Sequence, residues 1–228
     1  MFNYLVYLLN KIMIMKNLFF CYLATIAFAC EAKGNKSKAD MEIQTMGTEN
    51  QKSVKATFAG GCFWCTEALF LEIKGVEKVV PGYTGGKVVN PTYEEVCEGT
   101  TGHAEAIEIT YNPELISYED LLEVFFGTHD PTTLNRQGAD VGTQYRSEIF
   151  YHSEAQKKAA ENFIDLLNTQ NFYGKKVVTK ISPAVRFYVA EEYHKNYYNR
   201  NKNQGYCMAV IAPKLDKLKK NYQSKLKN

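Results

Sequence analysis

Two cysteines separated by an aromatic pair, in Gly60-Gly61-Cys62-Phe63-Trp64-Cys65-Thr66-Glu67, offer the most direct chemistry in this 228-residue sequence. The alternating apolar residues Val54, Ala56 and Phe58 run into two glycines, and a helical pattern follows, so Cys62 arrives at a helix N-terminus. There the unpaired N–H groups and dipole of the first turn stabilise negative charge, drawing a cysteine down from about 8.5 toward the nucleophilic thiolate. The same spacing fits a buried, inert pair beside core aromatics, because free cysteine is among the most buried residue types. Cys65 lies one turn along the same helix face, close enough to form a disulfide with Cys62 at modest local distortion.

Glu105 is the most informative carboxylate. In the alternating stretch 104–111 it shares a face with Ile107, Ile109 and Tyr111, pointing into an apolar layer while Glu108 points away. Such a carboxyl is either paired with a buried base or kept neutral by desolvation and able to donate a proton near pH 7. No lysine or arginine at that parity decides between the two. The other cysteines are Cys21, Cys30, Cys97 and Cys207, too unevenly spaced for a disulfide framework. His103, His129, His152 and His194 lack metal-ligand spacing, so no metal site is expected. His103 and His194 read as hydrogen-bonding supports, and Cys97 as buried and structural.

These groups need a frame. A strand is expected over 54–59, a helix over 62–74 stopped by Gly75, and a strand over 76–83. Thr92 and Glu95 have capping-box spacing for a short helical turn, and a third strand follows at 104–111. Ser117 caps a helix whose buried face carries Leu121, Leu122, Val124, Phe125 and Phe126. A strand at 145–151, a helix from Ser153 through Leu167, a strand at 177–181 and a brief helix at 191–199 complete the pattern. The order strand–helix–strand–strand–helix–strand predicts an α+β, two-layer, ferredoxin-like split βαβ arrangement, with a mainly antiparallel sheet and helices on one face. The long loops 85–103, 128–144 and 182–213 are where function is expected.

With those elements in place, several ordered blocks resemble one family. Beside GCFWCTE stand Pro81-Gly82-Tyr83-Thr84-Gly85-Gly86, Asn90-Pro91-Thr92-Tyr93-Glu94-Glu95-Val96-Cys97 and Thr101-Gly102-His103-Ala104-Glu105. Gln137-Gly138-Ala139-Asp140-Val141-Gly142-Thr143-Gln144-Tyr145-Arg146-Ser147 adds a further block. Over about residues 54–210 the chain is similar to the A-type peptide methionine sulfoxide reductases. The resemblance implies that Cys62 attacks the sulfoxide sulfur of oxidised methionine and becomes a sulfenic acid. It implies Glu105 as proton donor, Tyr93 and Tyr145 as phenols on the sulfoxide oxygen, and Phe63 and Trp64 as walls of the methyl pocket, selecting the S-epimer. Asp140 would help position substrate and Tyr206 would form an aromatic lid. Cys207 matches a recycling cysteine on a mobile C-terminal loop, with Cys65 as first resolver or alternative partner. No bound cofactor is implied; the reductant would be thioredoxin or a similar dithiol protein. Two rival readings are a thioredoxin-like disulfide oxidoreductase and a lipid-anchored binding protein that keeps the fold without the chemistry. The order of elements and the tryptophan within the motif argue against the first. The joint presence of Cys62, Glu105, Tyr93 and Tyr145 argues against the second.

Composition sets the remaining bounds. A content of 45% hydrophobic and 13% aromatic residues supports a sizeable core, and a net charge of +2 from 27 basic and 25 acidic residues gives no nucleic-acid footprint. Residues 1–30 read as a targeting signal, with Met13 or Met15 as alternative starts to Met1. Lysines precede an apolar run too short to span a bilayer, which needs about 20 residues. From Met15 the segment resembles a bacterial lipoprotein signal with Cys30 as the lipidated residue, although Ala27 stands where such signals carry a branched residue. Simple cleavage and an uncleaved anchor stay open. Residues 31–53 read as a polar linker, 54–213 as one catalytic domain, and 214–228 as a lysine-rich tail with a solvated helix face. An exported, membrane-anchored monomer of the cell envelope or periplasm is the expectation.

Overall fold

The computed structural model describes residues 53–227, so the targeting signal, most of the linker and Cys30 lie outside the described residues. Strand β1 (Val54–Gly60) is followed by α1 (Phe63–Leu71), β2 (Val76–Thr84), the short α2 (Tyr93–Cys97) and β3 (Ala104–Tyr111). Next come α3 (Tyr118–Thr128), a small hairpin of β4 (Arg136–Gln137) and β5 (Asp140–Val141), and a 3-10 turn at Thr143–Tyr145. β6 (Ser147–Tyr151), α4 (Glu154–Thr169), β7 (Lys180–Pro183) and β8 (Tyr188–Val189) follow. The chain continues through a 3-10 turn at Glu192–His194, α5 (Tyr197–Arg200), a π-helical turn at Cys207–Ile211 and α6 (Ala212–Asn221).

One sheet of order β7-β6-β1-β3-β2-β8 organises these elements. All its pairings are antiparallel except β6 with β7. Its four inner strands and the two crossover helices α1 and α3 are the expected split βαβ unit. Ala56 and Phe58 pair with Ile109 and Ile107, which fixes one face toward the helices. On that face Phe58 is fully buried between Phe70 of α1, Phe125 of α3 and Tyr118, with ring centroids 5.8, 4.9 and 5.9 Å away. Burying one such side chain is worth about 1.5–3 kcal/mol, and this pair of helices is held largely by contacts of that kind. On the opposite face Ala59, Ala104, Ala106 and Phe150 form a second cluster, covered by Ala184 and Phe187 from the loop after β7.

Local chemistry fixes the ends. Ser117 Oγ accepts from the Asp120 N–H at 3.0 Å while Asp120 Oδ2 accepts from the Ser117 N–H at 3.1 Å, closing a capping box on α3. At its other end, His129 binds the Phe125 carbonyl through Nδ1 at 2.6 Å and the Ser147 hydroxyl through Nε2 at 2.8 Å. Burial pushes His129 down to about 4, so a neutral imidazole joins α3 to the start of β6.

Four local expectations are corrected. The strand expected at 145–151 starts at Ser147, because the Arg146 N–H returns to Thr143 O and pairing with β1 begins at Gly60 and Ser147. The strand expected at 177–181 is displaced to Lys180–Pro183, since Glu148 takes Lys180 as first partner while the Val177 N–H donates to Asn168 Oδ1. The helix expected at 191–199 is broken in two by Asn196, which adopts φ +51°. The lysine-rich segment expected as a tail with a solvated helix face does expose Lys217, Lys219 and Lys220, but its other face is packed, with Leu215, Leu218 and, just past the helix, Tyr222 buried. Beyond it Lys225 forms ion pairs with Asp120 and Glu123, and Leu226 bridges to Ile73. Among the described residues no helix is long and apolar enough to cross a membrane.

Candidate active site

The junction between β1 and α1 requires its two glycines. Gly61 has φ +90°, and a Cβ there would lie 2.6 Å from Gln137 Cγ; a Cβ on Gly60 would meet the Phe125 ring at 2.8 Å. The bend delivers Cys62 as the N-cap of α1, with its carbonyl accepting the Cys65 N–H at 3.1 Å. Gln137 lies over the bend because its amide bridges both the N–H and the carbonyl of Asp130, each at 3.1 Å. The loop after α3 is thereby folded back over the nucleophile.

Glu105 is where strand parity puts it, 1% exposed and on the helix-facing side of β3, opposite Tyr83 of β2. Its Oε2 accepts the Phe63 N–H at 3.0 Å, the first free donor of α1. Burial pushes the carboxyl up to about 8, against the pull of that hydrogen bond and with the charges of Asp140 and Cys65 adding to the rise. Among the described residues no basic side chain pairs with it, so of the two alternatives the carboxyl kept neutral by burial fits near pH 7.

The thiol behaves differently from the expectation drawn from its helix end. Burial raises Cys62 well above the ordinary cysteine range, helped by its hydrogen bond with Cys65 and by the charges of Glu105 and Cys65. Cys65 moves down, chiefly through that same hydrogen bond, against burial and aided by the Lys214 charge and the Tyr206 hydroxyl. Burial outweighs the helix end, whose first N–H, at Phe63, is taken by Glu105. At rest Cys62 is a neutral thiol that leans on Cys65.

The aromatic residues converge on this pair. Phe63 is 1% exposed and contacts Tyr83, Tyr93 and His194, with centroids 5.8, 6.4 and 5.0 Å away. Tyr93 begins α2, held by the Thr92–Glu95 capping box and by its own N–H, which donates to Glu191 Oε1 at 3.0 Å. Tyr145 leaves the 3-10 turn beside it, and Gln144 Nε2 ties that turn to the Cys97 carbonyl at the end of α2 at 3.1 Å. Burial raises both phenols, with Glu105 adding to each, so both remain donors throughout the working range. Tyr206 donates to Asp140 Oδ2 at 2.9 Å and lies 3.7 Å from Cys65 Sγ, which brings the expected lid and substrate-positioning residues together.

Trp64 is clamped on two sides: its Nε1 donates to His194 Nδ1 at 3.0 Å, and its ring stacks on Tyr197 at 3.8 Å and 6°. Tyr206 meets it edge-on at 6.0 Å. Cys207 is buried at the start of the π-helical turn, not carried on an open loop, and all four cysteines among the described residues are free thiols. Burial raises the Cys207 thiol, and the nearby Cys65 charge adds to it. Beside it Met208, the one methionine among the described residues, is exposed.

Sequence reasoning missed several supports. Glu191 accepts the Tyr83 hydroxyl at 2.7 Å as well as the Tyr93 N–H; burial, which works upward, is outweighed by these bonds, so it stays a carboxylate. Cys97 is half-buried and hydrogen-bonds the Tyr93 side chain, which places it at the rim of the site. Glu67, 2% exposed, accepts the Asn196 N–H at 2.7 Å, and burial pushes it up to about 7. His103 does act as a support: it accepts the Gly86 N–H at 3.1 Å and donates to Val88 O at 2.8 Å, shaping the 85–103 loop. Only the lone-residue signal of a buried acid one turn after the motif, at Glu67, stood in the sequence.

Comparison with known proteins adds an independent line. The family model described as peptide methionine sulfoxide reductase matches residues 54–226. The peptide methionine sulfoxide reductase MsrA of Deinococcus radiodurans is 53% identical over 194 residues, covering 85% of this chain and 94% of that protein. The MsrA of Sulfolobus acidocaldarius is 59% identical over 170 residues, 75% of this chain and 96% of that protein. Among solved structures, reduced Mxr1 from Saccharomyces cerevisiae aligns with a TM-score of 0.63 at 36% identity, covering 72% of this chain and 94% of that one. Methionine sulfoxide reductase A of Corynebacterium diphtheriae aligns with a TM-score of 0.60 at 31% identity, over 69% and 78%.

Proposed function

The chain belongs to the peptide methionine sulfoxide reductase family, and on that premise we propose how its own groups divide the work of reducing S-epimer methionine sulfoxide to methionine. Cys62 attacks the sulfoxide sulfur while Glu105 protonates the departing oxygen. The attack forms a bond from Cys62 Sγ to the substrate sulfur, which breaks again as the protonated oxygen leaves that sulfur for Sγ, so the substrate sulfur is reduced by two electrons and Cys62 is oxidised to a sulfenic acid. The Cys62 thiol proton restores Glu105, and the step consumes no net proton. Tyr93 and Tyr145 donate to the developing oxyanion, and Phe63 and Trp64 enclose the methyl group.

The observation that carries this reading is the neutral carboxyl of Glu105 on the backbone N–H next to Cys62, at 3.0 Å. Cys65, already hydrogen-bonded to Cys62, resolves the sulfenic acid by forming a disulfide and releasing water. Cys207 then exchanges into that disulfide after its π-helical turn opens. Two electrons from an external dithiol protein of thioredoxin type close the cycle; the chemistry assigned to the thiols calls for no bound cofactor. Export and anchoring at the cell envelope through a lipidated Cys30 rest on the N-terminal sequence. A mature N-terminus whose mass lacks an acyl group would remove the anchor.

The decisive assay offers the separate S and R epimers of a methionine sulfoxide peptide, with dithiothreitol, to the protein and to its Cys62→Ser variant. Turnover of S alone, abolished in the variant, is expected. Turnover of neither epimer would overturn the assignment.

A further inference from the structure

Trp64 is held by two residues from one short segment, and that segment has a single buried anchor on α1. His194 takes the indole N–H at 3.0 Å and Tyr197 covers one ring face at 3.8 Å. Between these two residues the backbone turns sharply at Asn196, whose φ of +51° lies in the left-handed region. A residue there is held only where its surroundings over-determine it. The Asn196 N–H donates to Glu67 Oε1 at 2.7 Å, and the Tyr197 N–H also reaches that carboxylate. Glu67 sits on α1 three residues beyond Trp64, so the helix that carries the ring also carries the group that fixes the clamp on it.

We propose that Glu67 is a positioning residue for sulfoxide recognition: its buried carboxylate staples the turn at Asn196 and Tyr197 to α1, so that His194 and Tyr197 hold the Trp64 ring in the orientation that walls the methyl pocket. This rests on the assignment of Trp64 as that wall. Because the wall touches the methyl group before and during the reaction, loss of its orientation weakens ground and transition states together, which appears in KM and not in kcat.

Trp64 is the only tryptophan in the chain, so intrinsic fluorescence reports this ring alone. In the full-length protein, Glu67→Ala is expected to raise KM for an S-sulfoxide peptide about tenfold, the scale of one lost charged hydrogen bond. Its kcat should stay within about twofold and its Trp64 emission should shift. Glu67→Gln, which keeps an acceptor oxygen, should restore both. Tyr197→Leu, which leaves the staple intact but removes the stack, should reproduce the KM rise and the emission shift even where Glu67→Ala fails to fold. A raised KM with unchanged emission would overturn the proposal and leave the wall assignment standing. Shifted emission with unchanged KM would overturn both, and wild-type KM and emission in Tyr197→Leu would overturn the proposal outright.

Discussion

Glu105 and Cys62 compete for one helix end, and the carboxyl holds it. That hydrogen bond takes the donor nearest Cys62, burial raises the thiol, and two neutral groups are left side by side. Two measurements follow from it. Glu105→Gln removes the proton donor and is expected to lower kcat by about 10²–10⁴-fold while Phe63 keeps a partner in the amide oxygen. The same substitution has a stability signature with a defined sign. Native Glu105 titrates at about 8, against 4.5 for an ordinary glutamate, so between those values the native state binds more protons than the unfolded chain and stability falls as pH rises. The glutamine variant lacks that fall, and its urea midpoint should gain on the wild type from about pH 5 to about pH 9. Cys65→Ser tests a different atom. It should still release one equivalent of methionine per enzyme in a single turnover, while later turnovers with a dithiol protein slow, as quantified by product burst against steady state.

At the scale of elements, the site is assembled where short, capped pieces are pinned to the sheet. α2 is only five residues long and presents Tyr93 at its first position, so its capping box has an outsized role: Thr92 Oγ1 accepts the Glu95 N–H at 3.3 Å and Glu95 accepts the Thr92 N–H at 2.8 Å. Thr92→Ala should cost roughly 1 kcal/mol in urea unfolding and reduce kcat more than KM, because the phenol acts on charge that develops during the reaction. Such caps were legible in sequence, as were the glycine junction at 60–61 and the inward parity of Glu105, because each depends on neighbours within a few residues. Glu191, Tyr197 and the tie from Glu67 to Asn196 were not. They are made by the 182–213 loop returning across the sheet, and no periodicity announces such an approach. Asn196 was misleading for a related reason: its position within an apparent helical pattern hides a left-handed backbone, which asparagine adopts readily and the distant carboxylate ties down. The 3-10 turn before β6 escaped notice because a tyrosine and an arginine suit a strand as well as a turn.

Across the whole molecule, the C-terminal segment closes the helical layer instead of trailing from it. Lys225 lies between Asp120 and the buried Glu123, while the Tyr222 hydroxyl donates to the Glu123 carbonyl at 3.0 Å. The Lys225 backbone accepts the Lys74 N–H at 2.8 Å, so the segment also secures the turn after α1. Lys225→Ala leaves Glu123 without its cation in a buried setting and should destabilise the fold by roughly 1–3 kcal/mol, seen as a lower melting temperature with little change in KM. The anchored α6 confines any movement of Cys207 to the few residues between Gly205 and Pro213, which sets how far that thiol travels. Met208 lies inside this stretch, and its exposure has a different bearing. Among the described residues the only thioether is at the surface, and no methionine stands among the buried side chains. A repair protein so composed is not undone by the lesion it removes: oxidation of Met208 adds a polar oxygen at the surface and leaves the packed core without a methionine to lose.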